Sequence, residues 1–485
     1  MKNLIVAIIV AVGLATGTPA AVGWFLERDA NARVDQALEQ ASFVTVTEHK
    51  YHRGWFRSDE TITLQLFNGV PMPPIDANAG DAARKPIEIT VHNTIQHGPL
   101  PGFAGIGLAR ISTAFVLPPG VLPAPAAQPA LGPLTIESTL GFFGGATTTI
   151  RHPVIRDALV AEGWHLSADA LDFTIKQTRH ADTIDVDGKA PHIQLSRDGG
   201  PRIEITGLQL AMHSKRALRS IYAGDTDFTI GDFEVTGTPL GAAKKTPVVD
   251  KDAPEGELAD PGIGAGDLSL RAFKAHFKAE SSGEFVSSNV LMTSAFAGAG
   301  GYHVQGLKLD FAFEHLQMDA FDRLATGMRK IQRAHPGQPR DQLPAILELW
   351  KSDGVKILVN DPSFTVRALE FTSPDGFGKL SGGVHLKGAT EADFKPRVDT
   401  AALLSKLSAE LDAQLDERLA AKLLAPKADA AQRKPSGPSL QSLEAQGFLT
   451  RDDGRLSSSV RFVNGALTVN GKPFQGLAGP GPRTP

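Results

Sequence analysis

From Phe43 onward, apolar and polar residues alternate one by one in segment after segment, and this period of two constrains the fold more than any other feature. It shows first in Phe43-Val-Thr-Val-Thr47 and Glu60-Thr-Ile-Thr-Leu-Gln-Leu-Phe67. It returns at Ile87-Glu-Ile-Thr-Val91, Leu134 to Leu140, Thr147 to Ile150, Leu171 to Ile175 and Ile193 to Leu195. Successive side chains of a strand point to opposite faces, so each such segment has one apolar and one wet face. Short strands of this kind predict antiparallel sheet with one side hidden from water.

Ile203-Glu-Ile-Thr-Gly-Leu-Gln-Leu-Ala-Met-His213 lines up with Tyr302-His-Val-Gln-Gly-Leu-Lys-Leu-Asp-Phe-Ala312, and Phe228 to Val235 and Leu268 to Phe277 share their character. A glycine in mid-strand, Gly207 or Gly306, suits a bulge that bends a long strand. Helices are expected late: Met318 to Ala334, Gln342 to Lys351, and the longest over Thr400 to Leu424, where leucines recur every fourth residue from Leu403 to Leu423. A strand block is expected over Lys356 to Leu386, and a terminal hairpin over Gly454 to Pro473 around Asn464-Gly465, a dipeptide favoured by the type I′ turn.

The start of the chain is different in kind. Leu4 to Leu26 carries no charge, and as a helix it would reach roughly 34 Å against about 30 Å of bilayer hydrocarbon. Lys2 precedes it, so the positive-inside bias keeps the N-terminus cytoplasmic and sends the rest across. Small residues at Thr18-Pro-Ala20 and Ala21-Val-Gly23 leave a cleaved signal as the competing reading. The apolar run continues through Trp24-Phe-Leu26, which favours an uncleaved anchor. Glu27 to Ser42 reads as a juxtamembrane helix.

The expected fold is therefore α+β and β-rich: an N-terminal transmembrane helix, then a long curved antiparallel sheet of repeated meanders, partly covered by the late helices. Its divisions are the anchor at 1–26, a first β-rich half at 27–240, a flexible loop at 241–266, a second β-rich half with helices at 267–424, a linker at 425–439 and a C-terminal hairpin segment at 440–485. With 42% hydrophobic residues there is enough apolar surface for substantial cores. The absence of cysteine from 485 residues removes disulfides, thiol nucleophiles and thiolate metal sites together. A net charge of −4 without any long basic run gives no reason to expect nucleic-acid binding.

Tyr51-His-Arg-Gly-Trp-Phe-Arg-Ser58 packs two Arg, a His and three aromatics into eight residues. Tyr51, Arg53, Trp55 and Phe56 suit an anionic lipid headgroup or the membrane interface. The competing reading is a hairpin whose Trp55 and Phe56 fill the core while Arg53 pairs with an acid. His97, at the bend His97-Gly-Pro99, is either catalytic or a turn residue bonded to backbone. His49, His52, His92 and His97 lack the spacing of a zinc site. Asp182 to Gly188 lacks the ligand spacing of a calcium loop and reads as a solvated turn, and the glycine clusters at 102–107 and 262–266 read as ordinary loops. No hydrolase elbow or metalloprotease motif occurs. No catalytic residue, metal or cofactor is expected.

Tyr-x-Arg-Gly-Trp-Phe-x-Ser after a bitopic start, together with His97-Gly-Pro99 and the closing Val463-Asn-Gly-Ala-Leu-Thr-Val-Asn-Gly-Lys-Pro473, resembles the YdgA-type bacterial envelope proteins. The resemblance implies a single-pass inner-membrane protein with most of the chain in the periplasm, and supplies no catalytic residues. Function is expected to be non-catalytic: binding lipid or another amphipathic envelope component through an apolar sheet face, with Trp55, Phe56 and the positions around Gly207 and Gly306 lining it. The alternatives are an envelope scaffolding or interaction protein that forms a homo-oligomer, and a hydrolase using His97.

Overall fold

A computed structural model describes residues 44–66, 87–103, 105–116, 134–161, 163–219, 221–237, 267–334, 339–395, 397–424 and 440–474. The apolar stretch Leu4 to Leu26, the juxtamembrane segment, and the segments at 241–266 and 425–439 lie outside the described residues. Among the described residues no helix is long and apolar enough to cross a membrane.

The described chain is mostly antiparallel strand, and its residues fall into two compact units. One draws on residues up to 198 with 209–220 and 322–350; the other on 199–208, 221–321 and 351 onward. The first unit holds β1 (Val44–Arg53), β2 (Arg57–Leu66), β3 (Ile87–His97), β4 (Ala109–Val116), β5 (Thr135–Leu140), β6 (Ala146–His152), β7 (Ile155–Ala161), β8 (Trp164–Ala168), β9 (Leu171–Gln177) and β10 (Thr183–Arg197). β1 to β6 pair in sequence as a meander, β6 then pairs β9, and β10 pairs β9 with one half and β8 with the other. β11 (Arg202–Leu218) has residues in both units.

The second unit holds β12 (Ile221–Thr236), β13 (Leu268–Ser282), β14 (Phe285–Ala299), β15 (Tyr302–Gln317), β16 (Ser363–Ser373), β17 (Gly376–Leu386), β18 (Leu407–Asp416), β19 (Thr450–Asp452), β20 (Arg455–Val463), β21 (Ala466–Val469) and β22 (Lys472–Pro473). β12 to β18 pair consecutively, and β20 and β21 continue the sheet. Because β12 and β13 are direct partners, residues 238–266 join neighbouring strands of one sheet.

Period two becomes two-facedness in both units. In the first, Ile62 and Leu64 pair with Val91 and Ile89, and Ile95 with Ile111, on one face. The other carries Arg57 on Asp59, Thr61 on His92 and Arg110 on Glu137. In the second, an apolar row crosses the strands through Phe277, Val290, Phe311, Val366, Leu411 and Val460, with Gly382 between Val366 and Leu411. Its wet face carries His276 on Asp227, Lys379 on Glu370 and Arg461 on Asp412. Gly207 and Gly306 both have left-handed backbone, at φ +61° and +59°, a conformation that costs a residue with Cβ. At Gly306 the register against β16 shifts between Gln305 and Lys308. Asn464 and Gly465 (φ 51° and 78°) turn β20 into β21 in the type I′ manner.

Helix α1 (Met318–Ala334) has the predicted bounds, and α2 (Pro339–Leu349) begins three residues before the predicted start and ends in a π-helical turn, Trp350–Gly354. Gly327 lets the two approach: a Cβ there would stand 2.6 Å from the Leu349 side chain. The predicted block from Lys356 starts instead as a short helix, α3 (Val355–Leu358), and becomes strand at Ser363. The predicted long helix over Thr400 to Leu424 is three elements: α4 (Thr400–Lys406), β18 and α5 (Glu417–Leu424). A spacing of four is an even number, so it satisfies period two as well as it approximates the helical turn. Within β18, Leu407, Leu411 and Leu415 share the apolar face with Ala409 and Ala413, while Ser408, Glu410, Asp412 and Gln414 take the other. The expected solvated turn at Asp182 to Gly188 is also a strand from Thr183, with Asp185 and Asp187 alternating against Ile184 and Val186. A last helix, α6 (Leu440–Ala445), precedes the terminal strands.

The turn before α4 is pinned by one carboxylate. Asp393 accepts from Lys406 Nζ at 2.7 Å, from the Thr390 amide at 2.6 Å and from the Thr390 hydroxyl at 2.9 Å. The lysine above all, then the two Thr390 donors, pull its pKa down to about 2. A folded pKa below the unfolded one, about 3.9, stabilises above that unfolded value and is lost as pH falls toward 2. The urea midpoint should therefore drop between pH 5 and pH 2, and Asp393→Asn should remove this part of the drop, which paired titrations of the two proteins would measure.

Candidate functional site

The aromatic cluster forms the β1–β2 hairpin and its turn. Gly54 makes the turn possible, because a Cβ there would lie 2.3 Å from the Arg57 carbonyl. Tyr51 packs against the buried trio Ile95, Ala109 and Leu140, whereas Arg53 is exposed at the end of β1. Trp55 and Phe56 do not fill the core, as one reading had it: they are 59% and 55% exposed at the turn.

His97, at the end of β3, is buried at 4% exposure beside Ser58, which is at 0%. Its Nδ1 lies 3.2 Å from the Trp55 carbonyl, an oxygen that can only accept, so the proton sits on Nδ1. Nε2 is then left to accept from the Ser58 hydroxyl at 3.0 Å. The His97 amide also donates to the Phe56 carbonyl at 2.8 Å. One side chain and its own backbone thus tie the aromatic turn to β3. The next residue brings in the following turn: the Gly98 amide donates to Leu108 at 2.6 Å, and a Cβ on Gly98 would fall 1.9 Å from the Gly107 carbonyl. Both ring nitrogens of His97 are engaged by Ser58 and Trp55, and the serine has no exposed surface, so this Ser–His pair joins turns rather than presenting a nucleophile to solvent.

A second buried polar group stands two residues along. Glu60, 7% exposed, accepts from His49 Nε2 at 2.8 Å and Asn93 Nδ2 at 2.7 Å, and Asn93 accepts from Thr113 at 2.7 Å. This chain of hydrogen bonds crosses β1 to β4 on the otherwise apolar face. Each acceptor is occupied, as a polar string in such surroundings requires. The four histidines of this region divide between the faces: His49 and His97 with Glu60 and Ser58, His52 and His92 with Asp59 and Thr61. Among the described residues no group of three His, Asp or Glu is placed to hold a metal ion.

Sequence reasoning missed what surrounds the turn. Phe103 and Ile106, from the glycine-rich bend set aside as an ordinary loop, are 94% and 75% exposed; Phe142 and Phe143 of the β5–β6 turn are 48% and 93% exposed. Their signal was large apolar residues spaced by glycines, Gly102-Phe-Ala-Gly-Ile-Gly107 and Gly141-Phe-Phe-Gly-Gly145.

In the second unit the apolar face keeps an open aromatic group. Phe313 and Phe364 rings lie 4.8 Å apart, and Phe311 stands 5.9 and 6.3 Å from them. Phe313, Phe364, Leu411 and Val384 keep 36, 37, 42 and 46% exposure, although α5 packs on β17, β18 and β20 nearby.

No curated protein and no solved structure matches the chain. The family model described as bacterial protein of unknown function, DUF945, matches residues 1–476. The chain belongs to the DUF945 family.

Proposed function

We propose that the protein is a membrane-tethered component of the bacterial cell envelope, of YdgA type, that holds lipid or another amphipathic envelope molecule on the apolar face of its second unit without transforming it. The observation that carries this reading is the open aromatic group of Phe311, Phe313 and Phe364 with half-exposed Val384 and Leu411 beside it. A contiguous apolar face left in water is the form of a site that accepts an acyl chain. The charge-free stretch Leu4 to Leu26 supports an inner-membrane anchor with the remaining chain in the periplasm. Within this reading the Ser58–His97 pair is structural.

The test is mass spectrometry of small molecules that copurify with the full chain after mild detergent extraction. The expected result is an amphiphile with a long apolar chain in near-stoichiometric amount. Its absence, with a protein partner recovered in its place by crosslinking in membranes, would turn the reading to a scaffold.

A further inference from the structure

The antiparallel order places four turns at the same end of the first unit's sheet. They are residues 54–56 between β1 and β2, 98–108 between β3 and β4, 141–145 between β5 and β6, and 178–182 between β9 and β10. The first three carry Trp55, Phe56, Phe103, Ile106, Phe142 and Phe143, with Phe103 and Phe143 above 90% exposed. Backbone bonds tie the first turn to the second and the second to the third, His97 donating to Phe56 and Leu108 to Leu140, each at 2.8 Å, while Gly141 donates to Gly145 and closes the third turn on itself. An exposed apolar residue alone needs no explanation, but six on three neighbouring, mutually bonded turns form a patch that meets another surface.

Charge says which surface. The four turns between paired strand ends, residues 53–58, 97–109, 140–146 and 177–184, hold Arg53, Arg57 and Arg179 against one acid, Asp182, in a chain whose net charge is −4. Arg57 is engaged by Asp59. The stem of Arg179 lies along the third turn, since a Cβ on Gly144 would stand 2.9 Å from its Cγ. Arg216 adds its side chain at the fourth, donating to the His180 and Ala181 carbonyls. Aromatic rings among bases match the boundary where hydrocarbon meets anionic headgroups.

We propose that this end of the sheet docks on the surface of an anionic phospholipid bilayer, with Phe103 and Phe143 entering deepest and the bases of the turns on the side of the headgroup phosphates. Covalent reach sets one condition: the 17 residues from Glu27 to Phe43 span about 26 Å as the helix read from their sequence and at most about 60 Å when extended, against roughly 33 Å for the length of β1, so bringing the far end of β1 back to the membrane that holds Leu26 requires part of this segment to be extended. Docking does not depend on whether the second unit's face carries a ligand.

The lack of cysteine allows single labels. Phe143→Cys and, at the opposite end of the same strands, Ala170→Cys would each carry an environment-sensitive fluorophore in the full chain, reconstituted into phosphatidylethanolamine vesicles containing phosphatidylglycerol and a lipid-borne quencher. Both positions are exposed, so neither label disturbs packing. The label at 143 should be quenched and that at 170 should not. Exchanging phosphatidylglycerol for phosphatidylcholine removes attraction of roughly fivefold per base and should bring quenching at 143 down to that at 170. Equal quenching at the two positions, quenching indifferent to the anionic lipid, or shielding of 143 that follows protein concentration and signals a second copy overturns the proposal.

Discussion

Replacing His97 with alanine should lower the stability of the first unit by about 3 kcal/mol. Three losses combine. The imidazole leaves a cavity beside Ile95 and Ala109, the Ser58 hydroxyl stays buried without its acceptor, and the Trp55 carbonyl loses its side-chain donor. Ser58→Ala removes one hydrogen bond and should cost about 1 kcal/mol. Because the two side chains share that bond, the double variant should lose less than the sum of the singles. Urea unfolding of the four proteins measures the cycle, and hydrogen exchange locates it: amides of the β1–β2 turn should exchange faster in His97→Ala while those of β16 and β17 keep their rates. A loss below about 1 kcal/mol would show that the turn is held by its backbone bonds alone.

The same residue shows how far the sequence could be read. His97 at a tight bend pointed either to chemistry or to a backbone contact, and the choice depended on Trp55, 42 positions away. Nothing local to either residue encodes that meeting; it arises from the register of β2 against β3, which sets Ser58 opposite Ile95 and Arg57 opposite Gln96. Sheet class, by contrast, is local. Each strand declares its two faces by alternation, so the antiparallel architecture, the hairpin at Asn464-Gly465 and the bulge at Gly306 were all legible from a few adjacent residues.

The longest misread segment has a plain cause, which is that a residue pattern can satisfy two periods. Leucine at every fourth position from Leu403 to Leu423 fits a helix when leucines alone are counted. The residues between them, Ser408-Ala-Glu-Leu-Asp-Ala-Gln-Leu-Asp416, alternate without a break, and β17 and β20 stand ready on either side to pair with a strand there. Tertiary pairing then overrides the helix propensity of Ala and Leu. Asp182 to Gly188 was misread for the converse reason, since acidic residues and a glycine suggest a turn until Ile184 and Val186 are seen to alternate with them. The exposed phenylalanines were invisible for another reason: hydrophobicity predicts burial, and only the geometry of three adjoining turns leaves Phe103 and Phe143 in water.

If the second unit's face holds an acyl chain, Val384→Asp should release it. Val384 pairs with Phe364 on one side and Ala409 on the other, so its side chain adjoins the aromatic group. At 46% exposure a carboxylate can stay hydrated in the empty protein, and the fold should lose only about 1 kcal/mol. A bound apolar chain would strip that hydration, at a cost of several kcal/mol, which corresponds to roughly a hundredfold or greater loss of affinity. Leu411→Asp, 42% exposed and opposite Gly382, should act likewise. Thr372→Asp, exposed on the other face of β16, should leave the bound molecule in place. The measurement is the amount of copurifying amphiphile per protein, with the urea midpoint taken alongside. Equal retention in all three variants would mean that the open aromatic face is not where an amphiphile sits, whatever the anchor and the sheet end do at the membrane.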